Sequence, residues 1–164
     1  MKVVVVSDTH IRRGSTRRLP EELYRVLEGA DLVLHAGDVV VPEVLDDLQR
    51  FAPLHAVQGN NDVAELTAAL PEQLDLDVEG VGIGMIHDSG PRKGRENRMR
   101  RRFPDARVVV FGHSHIPLAD DGIDGQLLFN PGSPTERRRQ PFHTYGLLEI
   151  ADGELRRVTI EEVR

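Results

Sequence analysis

The sequence predicts an α/β fold in one domain, with two sheets covered by helices. Three observations carry this expectation. A continuous β-branched run, Val3 to Val6, reads as a strand buried on both faces. Strand and helix patterns alternate through the first third, the grammar of a parallel sheet with crossover helices. The later half carries short strands joined by Gly- and Asp-rich turns, which asks for a second sheet.

The elements follow in order. Pro20 opens a helix with Glu21 and Glu22 well placed in its first turn, Leu23, Val26 and Leu27 repeat at helical spacing, and Gly29 ends it. Leu32 to Leu34 is a second strand, Pro42 opens a helix carrying Val44, Leu45 and Leu48, and residues 53–58 form a third strand. Leu74–Val78 and Val81–His87, separated by Glu79-Gly80, read as a hairpin. A basic helix over Lys93–Arg102 precedes a strand at Val108–Phe111. Residues 115–119, 126–129, 144–150 and 154–160 are the remaining strands, with turns at Asp124-Gly125 and Asp152-Gly153.

Composition narrows the chemistry. The 164 residues, 39% hydrophobic and 29% charged, read as globular and long enough to bury a core without staples. Cysteine is absent, so disulfides, thiolate metal sites and thiol nucleophiles are excluded, and any metal must be held by nitrogen and oxygen. MKVVVVSD is too short an apolar run for a signal segment, and no stretch approaches the roughly 18 apolar residues of a membrane span. The expectation is a cytoplasmic protein without a membrane partner. Net charge is −6, yet Arg residues cluster at 12–13, 17–18, 92–102 and 137–139, where an anionic ligand could dock or where the surface is merely solvated. With 4% aromatic residues and none interleaved with those runs, a stacking platform for long nucleic acid is poorly supported.

Polar residues gather where strands end. Val3–Val6 runs into Ser7-Asp8-Thr9-His10, Leu32–Leu34 into His35-Ala36-Gly37-Asp38, and the third strand into Gly59-Asn60-Asn61-Asp62. His87 ends one later strand, and Gly112-His113-Ser114-His115 follows another. Ligands of open α/β sheets bind beyond the carboxyl ends of strands, so five such endings would converge on one pocket. Carboxylate, amide oxygen and imidazole suit divalent first-row metals. Seven donors are too many for one ion but can serve two, about 3.5–4 Å apart, holding a bridging hydroxide for in-line attack on phosphorus. Alone, each residue is more ordinarily a cap or turn residue; their joint occurrence overturns that.

Asp8-x-His10, Gly37-Asp38, Gly59-Asn60-x-Asp62, His87 and Gly112-His113-x-His115, with Asn130-Pro131-Gly132-Ser133 further on, resemble the motif series of the calcineurin-like metallophosphoesterases. Within that superfamily the chain is most similar to small single-domain bacterial and archaeal phosphodiesterases and to the related retromer-coat scaffold subunit. The resemblance implies a four-layer α/β/β/α sandwich of two mixed sheets flanked by helices, spanning residues 1–164. It implies that Asp8, His10 and His115 bind one metal and Asn60, His87 and His113 a second. Asp38 would bridge them, with Asp62 hydrogen-bonding to orient groups around the ions. Asp38, Asn60, Asp62 and His113 are then the residues expected to serve catalysis. Mn²⁺ is the first expectation for the two ions, with Ni, Co, Fe or Zn as alternatives.

Two departures stand out. Relatives often carry His where this chain has Asn61, and His-Gly-His after the ligand matching His87, where this chain has Asp88-Ser89. Asn cannot act as a general acid near neutral pH. His35 and His55 read as buried or half-buried strand histidines, while His143 and Ser133 are weaker candidates to reach a pocket, and Arg12, Arg92 and Arg95 to bind an anion. The functional expectation is a metal-dependent phosphoesterase, phosphodiesters favoured, acting on a small phosphodiester or nucleotide-like substrate. A homo-oligomer is compatible with it. The alternative is a protein-interaction scaffold on the same fold.

Overall fold

The computed structural model describes residues 1–163. In chain order the first half contains β1 (Lys2–Val6), α1 (Glu21–Leu27), β2 (Leu32–His35), α2 (Pro42–Gln49), β3 (Leu54–Ala56) and α3 (Ala64–Ala69). There follow β4 (Gln73–Val78), β5 (Val81–Ile86), α4 (Arg95–Arg102), β6 (Val108–Val110), β7 (Leu118–Asp121), β8 (Leu127–Asn130), β9 (Thr144–Ala151) and β10 (Glu154–Glu162). They form two five-stranded mixed sheets, ordered β10-β9-β1-β2-β3 and β4-β5-β6-β8-β7.

Side-chain alternation along the strands builds the layers. In β1, Val4 and Val6 pack with Leu23 and Leu27 of α1 and Val44, Leu45 and Leu48 of α2. Val3 and Val5 face the other way, against Ile83, Met85, Val108, Val110 and Phe129 of the second sheet. On the far side of that sheet Val109 and Leu128 meet Met99 and Phe103 from α4 and the residue after it. Three apolar interfaces between four layers make an α/β/β/α sandwich, the architecture the motif resemblance implies. All four valines are fully buried, each contributing about 1.5–3 kcal/mol.

β1, β2 and β3 pair in parallel, as the alternating pattern requires, and β4–β5 is the expected antiparallel hairpin. Two details differ from the sequence reading. Residues 115–117 are loop, with β7 starting only at Leu118, because His115 takes a left-handed backbone (φ 60°) that no strand admits. The helix α3 was not expected: its six residues bury only Leu66, too little for a periodic signal.

Candidate metal centre

The parallel strands β1, β2 and β3 of one sheet and β5 and β6 of the other deliver their following loops to a common edge. Asp8 Oδ1 lies 3.3 Å from His115 Nε2, 3.7 Å from His10 Nε2 and 4.0 Å from His87 Nε2. Asp38 Oδ2 lies 3.4 Å from both His10 Nε2 and His87 Nε2. Two sets of donor atoms result, Asp8–His10–His115 and Asp8–Asp38–His87, each within 4.8 Å of one another. His113 stands outside both, hydrogen-bonded through Nδ1 to Asn60 Oδ1 at 3.0 Å and edge-on to the His87 ring. The first set is closed, with Asp8 fully buried and His115 1% exposed; the His113 side chain is 45% exposed.

The local backbone is bent to reach this geometry. Asp8, His10, Asp38, His113 and His115 all have left-handed φ between 45° and 68°. Non-glycine residues seldom adopt it, and such strain gathers at functional sites. The neighbouring glycines make room for carboxylates. A Cβ on Gly59 would stand 2.1 Å from the Asp38 backbone nitrogen, and one on Gly112 2.5 Å from Asp8 Oδ2.

Hydrogen bonds fix the imidazoles. His87 Nδ1–H donates to the Ala36 carbonyl at 2.7 Å, and His115 Nδ1–H to the Glu136 carbonyl. Each bond places the proton on Nδ1 and turns the Nε2 lone pair toward the centre, the arrangement of metal-ligating histidines. The Glu136 carboxylate takes an ion pair from Arg17 at 2.9 Å and lies 3.8 Å from His10 Nδ1. Asp62 accepts hydrogen bonds from the Val40 and Gly59 backbone N–H groups, both at 2.7 Å, tying the loop after β2 to the loop after β3. Asn61 holds Asp38 through its backbone N–H and its side-chain amide.

Electrostatics favour a cation. Burial would push Asp8 and Asp38 up, but the imidazoles around them hold Asp8 well below the usual carboxylate range and Asp38, with help from Asn61, at about 2. Burial works against a charged His87, yet Asp38 and Asp8 raise its pKa. Asp62 is raised by burial, against its two backbone hydrogen bonds. Asp8 Oδ1 and His87 Nε2 are buried without any hydrogen-bond partner. Native proteins rarely leave such atoms unsatisfied. Two ionised carboxylates and converging imidazole nitrogens are a nitrogen–oxygen donor set fit for divalent ions.

Other candidates fall elsewhere. Ser133 is buried, donating to the Asp8 carbonyl at 2.8 Å and accepting from the Glu136 N–H, so it braces the ligand loop rather than reaching a pocket. His35 is buried between Thr9 Oγ1 and the Gly37 N–H, as expected, but His55 is exposed because β3 is a sheet edge. His143 lines neither of the two clefts that flank the candidate ligand residues. Arg92 and Arg95 line a separate hollow beside β7, with Arg95 over the Phe111 ring. Arg12 does flank His10, in a cleft of about 490 Å³ shared with Arg17, Asn61, Glu136 and Arg138. On the other side Arg102 and Asp88 border the cleft of Asn60, His87 and His113. Sequence reasoning missed Glu136, and it gave Arg17 only as part of a basic cluster. The signal was there in Ser133-Pro-Thr-Glu136, the S-x-x-E spacing that ties a Ser hydroxyl to the N–H three residues on.

The fold and the candidate site are of the calcineurin-like phosphoesterase kind, and the chain belongs to that superfamily: the calcineurin-like phosphoesterase superfamily domain matches residues 1–153. Among its relatives is a probable metallophosphoesterase of Methanocaldococcus jannaschii, 36% identical over 99% of this chain and 83% of that protein. The phosphodiesterase YfcE of Escherichia coli is 26% identical over 91% of this chain and 88% of its own. Among solved structures, wild-type Vps29 of Entamoeba histolytica complexed with Zn²⁺ superimposes with a TM-score of 0.79 and 26% identity, covering 99% of this chain and 98% of that one.

Proposed function

We propose that the protein is a dinuclear metal-dependent phosphoesterase favouring phosphodiesters, with Asp38 shared between the two ions. The observation that carries this is the pair of buried, partnerless ligand atoms, Asp8 Oδ1 and His87 Nε2, beside a carboxylate oxygen 3.4 Å from two imidazoles. Asp8, His10 and His115 would hold one ion and Asn60, His87 and His113 the other, Mn²⁺ being the first to try and Ni, Co, Fe and Zn the alternatives. Bound there, divalent ions supply a water-derived nucleophile and neutralise the phosphoryl oxygens. The chain's own residues do the rest. Arg12, Arg17 and Arg138 make the cleft beside His10 attractive to an anionic substrate. Asp62 and Asn61 keep the Asp38 loop in place, and Asn61, unable to yield a proton, leaves the departing alkoxide unassisted.

The likeness to YfcE supports phosphodiesters over monoesters. A small diester or nucleotide-like substrate suits clefts of this size better than a long nucleic acid. No helix among the described residues is long and apolar enough to cross a membrane, and we place the activity in the cytoplasm. The test is hydrolysis of bis(p-nitrophenyl) phosphate by chelator-stripped protein with each metal restored, alongside Asp38→Ala and His115→Ala. Metal-dependent turnover lost in both variants is the expected result. A second reading, a protein-interaction scaffold, is favoured by the likeness to Vps29 and by the missing imidazoles at Asn61, Asp88 and Ser89. Metal binding without turnover under every condition would leave that reading standing.

A further inference from the structure

The loop that follows His10 divides two cavities. Its inner side is the polar cleft beside the ligands; its outer side is a second cavity of about 540 Å³, floored by Ile11, Leu19, Tyr24, Val41 and Val44. That volume is the size of a small-molecule site, and here an apolar floor lies under a rim of charged residues. In the chain both walls adjoin residues of the candidate metal centre: Ile11 follows His10 directly and Val41 comes three residues after Asp38. Most charges on the rim are already engaged. Arg13 is paired with Glu43 at 2.6 Å, and the Tyr24 hydroxyl donates to Asp47 at 2.5 Å. The Arg12 side chain, like those of Asp46 and Arg50, has no ion-pair or hydrogen-bond partner among the described residues, and Arg12 alone of these three lines both cavities.

We propose that this cavity is a specificity subsite for the non-departing ester group of the substrate, which would be an uncharged aromatic or comparably apolar ring, with Arg12 at the junction between ring and phosphate. A guanidinium can stack on a planar ring while hydrogen-bonding an anionic oxygen, which suits one residue to both tasks. Branched aliphatic side chains beneath it give the ring a surface that a methyl group cannot fill. The inference rests on the phosphoesterase reading and deepens it to a substrate class, diesters with one bulky apolar arm.

The experiment holds the leaving group constant. Phenyl p-nitrophenyl phosphate and methyl p-nitrophenyl phosphate both release p-nitrophenolate and differ only in the arm assigned to the cavity. The expected kcat/KM ratio favours the phenyl ester by at least about tenfold, the scale on which apolar pockets discriminate. The ratio is expected to fall toward one in Arg12→Ala, an exposed position whose change leaves the core intact. Calorimetric titration with phenylphosphonate and methylphosphonate, neither of which is cleaved, should show the same order of affinity. Equal turnover of the two esters with equal affinity for the two phosphonates would overturn the subsite and leave the phosphoesterase standing. Absence of turnover for both esters with every metal would instead overturn the reading beneath it, and this inference with it.

Discussion

Asn61 grips Asp38 at both carboxylate oxygens: its backbone N–H donates to Oδ1 at 2.8 Å and its side-chain amide to Oδ2 at 2.7 Å. The residue whose imidazole is missing therefore has a different task, holding the carboxylate assigned to both ions. Asn61→Ala removes the side-chain bond and keeps the backbone one. Urea unfolding of the metal-free variant should show a loss of about 1 kcal/mol, the usual size for a partly exposed hydrogen bond to a charged acceptor. An unchanged midpoint would mean the side-chain contact contributes nothing.

With Asn61 so engaged, and without a proton to give, the chemistry should depend on the leaving group. General acid catalysis is worth about 10²–10⁴-fold, so alkyl diesters should turn over at least about 10²-fold more slowly than aryl diesters. Steady-state kinetics on a leaving-group series reads this directly as a steep slope. Similar rates across the series would point to a proton donor elsewhere.

Glu136 touches both histidines of the closed donor set, His115 through its carbonyl and His10 through a carboxylate that Arg17 also holds. Glu136→Ala keeps the first contact and deletes the second. Loss of such a supporting group typically lowers metal affinity about 10–100-fold. Isothermal titration should show that drop for one ion of the pair, with Glu136→Gln intermediate. Equal affinities in all three proteins would remove Glu136 from the site.

His35 is buried and, chiefly through burial, its pKa is depressed from 6.5 to about 3. Its folded form thus prefers to be neutral, while the unfolded chain protonates near the ordinary value. Between those two values the unfolded state binds more protons, so this residue's contribution to stability is full above about pH 6.5 and is lost as pH falls toward 3. The loss is on the order of a few kcal/mol. Unfolding of wild type and His35→Gln, compared from pH 7.5 to 4.5, should give a shallower pH dependence in the variant. Parallel curves would show that His35 is protonated alike in both states.

Gly59 and Gly112 are tested by their methyl derivatives. Gly59→Ala would drive its Cβ into the Asp38 backbone and Gly112→Ala into Ser7 and Asp8, contacts too close for side chains to relieve. Each should cost at least about 1–3 kcal/mol and weaken metal binding, checked by thermal unfolding with and without added Mn²⁺. Wild-type stability in either variant would show that the loops can shift apart.

Much of this was legible before any coordinates. Val3–Val6 announced a strand buried on both faces, and its alternating partners in two different layers are the physical content of that run. Strand-end Asp, Asn and His residues pointed to the shared edge because parallel strands send their next loops to the same side. Contacts through the backbone were not legible. Nothing about Glu136 in sequence says that its carbonyl would meet His115, and Ser133 read as a candidate to reach a pocket until its bond to the Asp8 carbonyl placed it under the loop. Arg98 in the basic helix is similar: it binds the carbonyls of Ser89, Pro91 and Lys93, so a residue that read as solvated or anion-docking charge is a clamp on the 89–93 loop.

The donor atoms straddle a seam. Asp8, His10, Asp38 and Asn60 hang from the sheet of β1, β2 and β3, whereas His87, His113 and His115 hang from that of β5 and β6. The facing surfaces of the sheets meet through apolar packing, which slides and breathes more readily than a coordinate bond stretches. Any ion seated there is a rivet through both halves of the sandwich. Loading it should therefore slow proteolysis and amide exchange far from the ligands, along the facing surfaces of the two sheets, and chelation should loosen the whole seam at once rather than one loop.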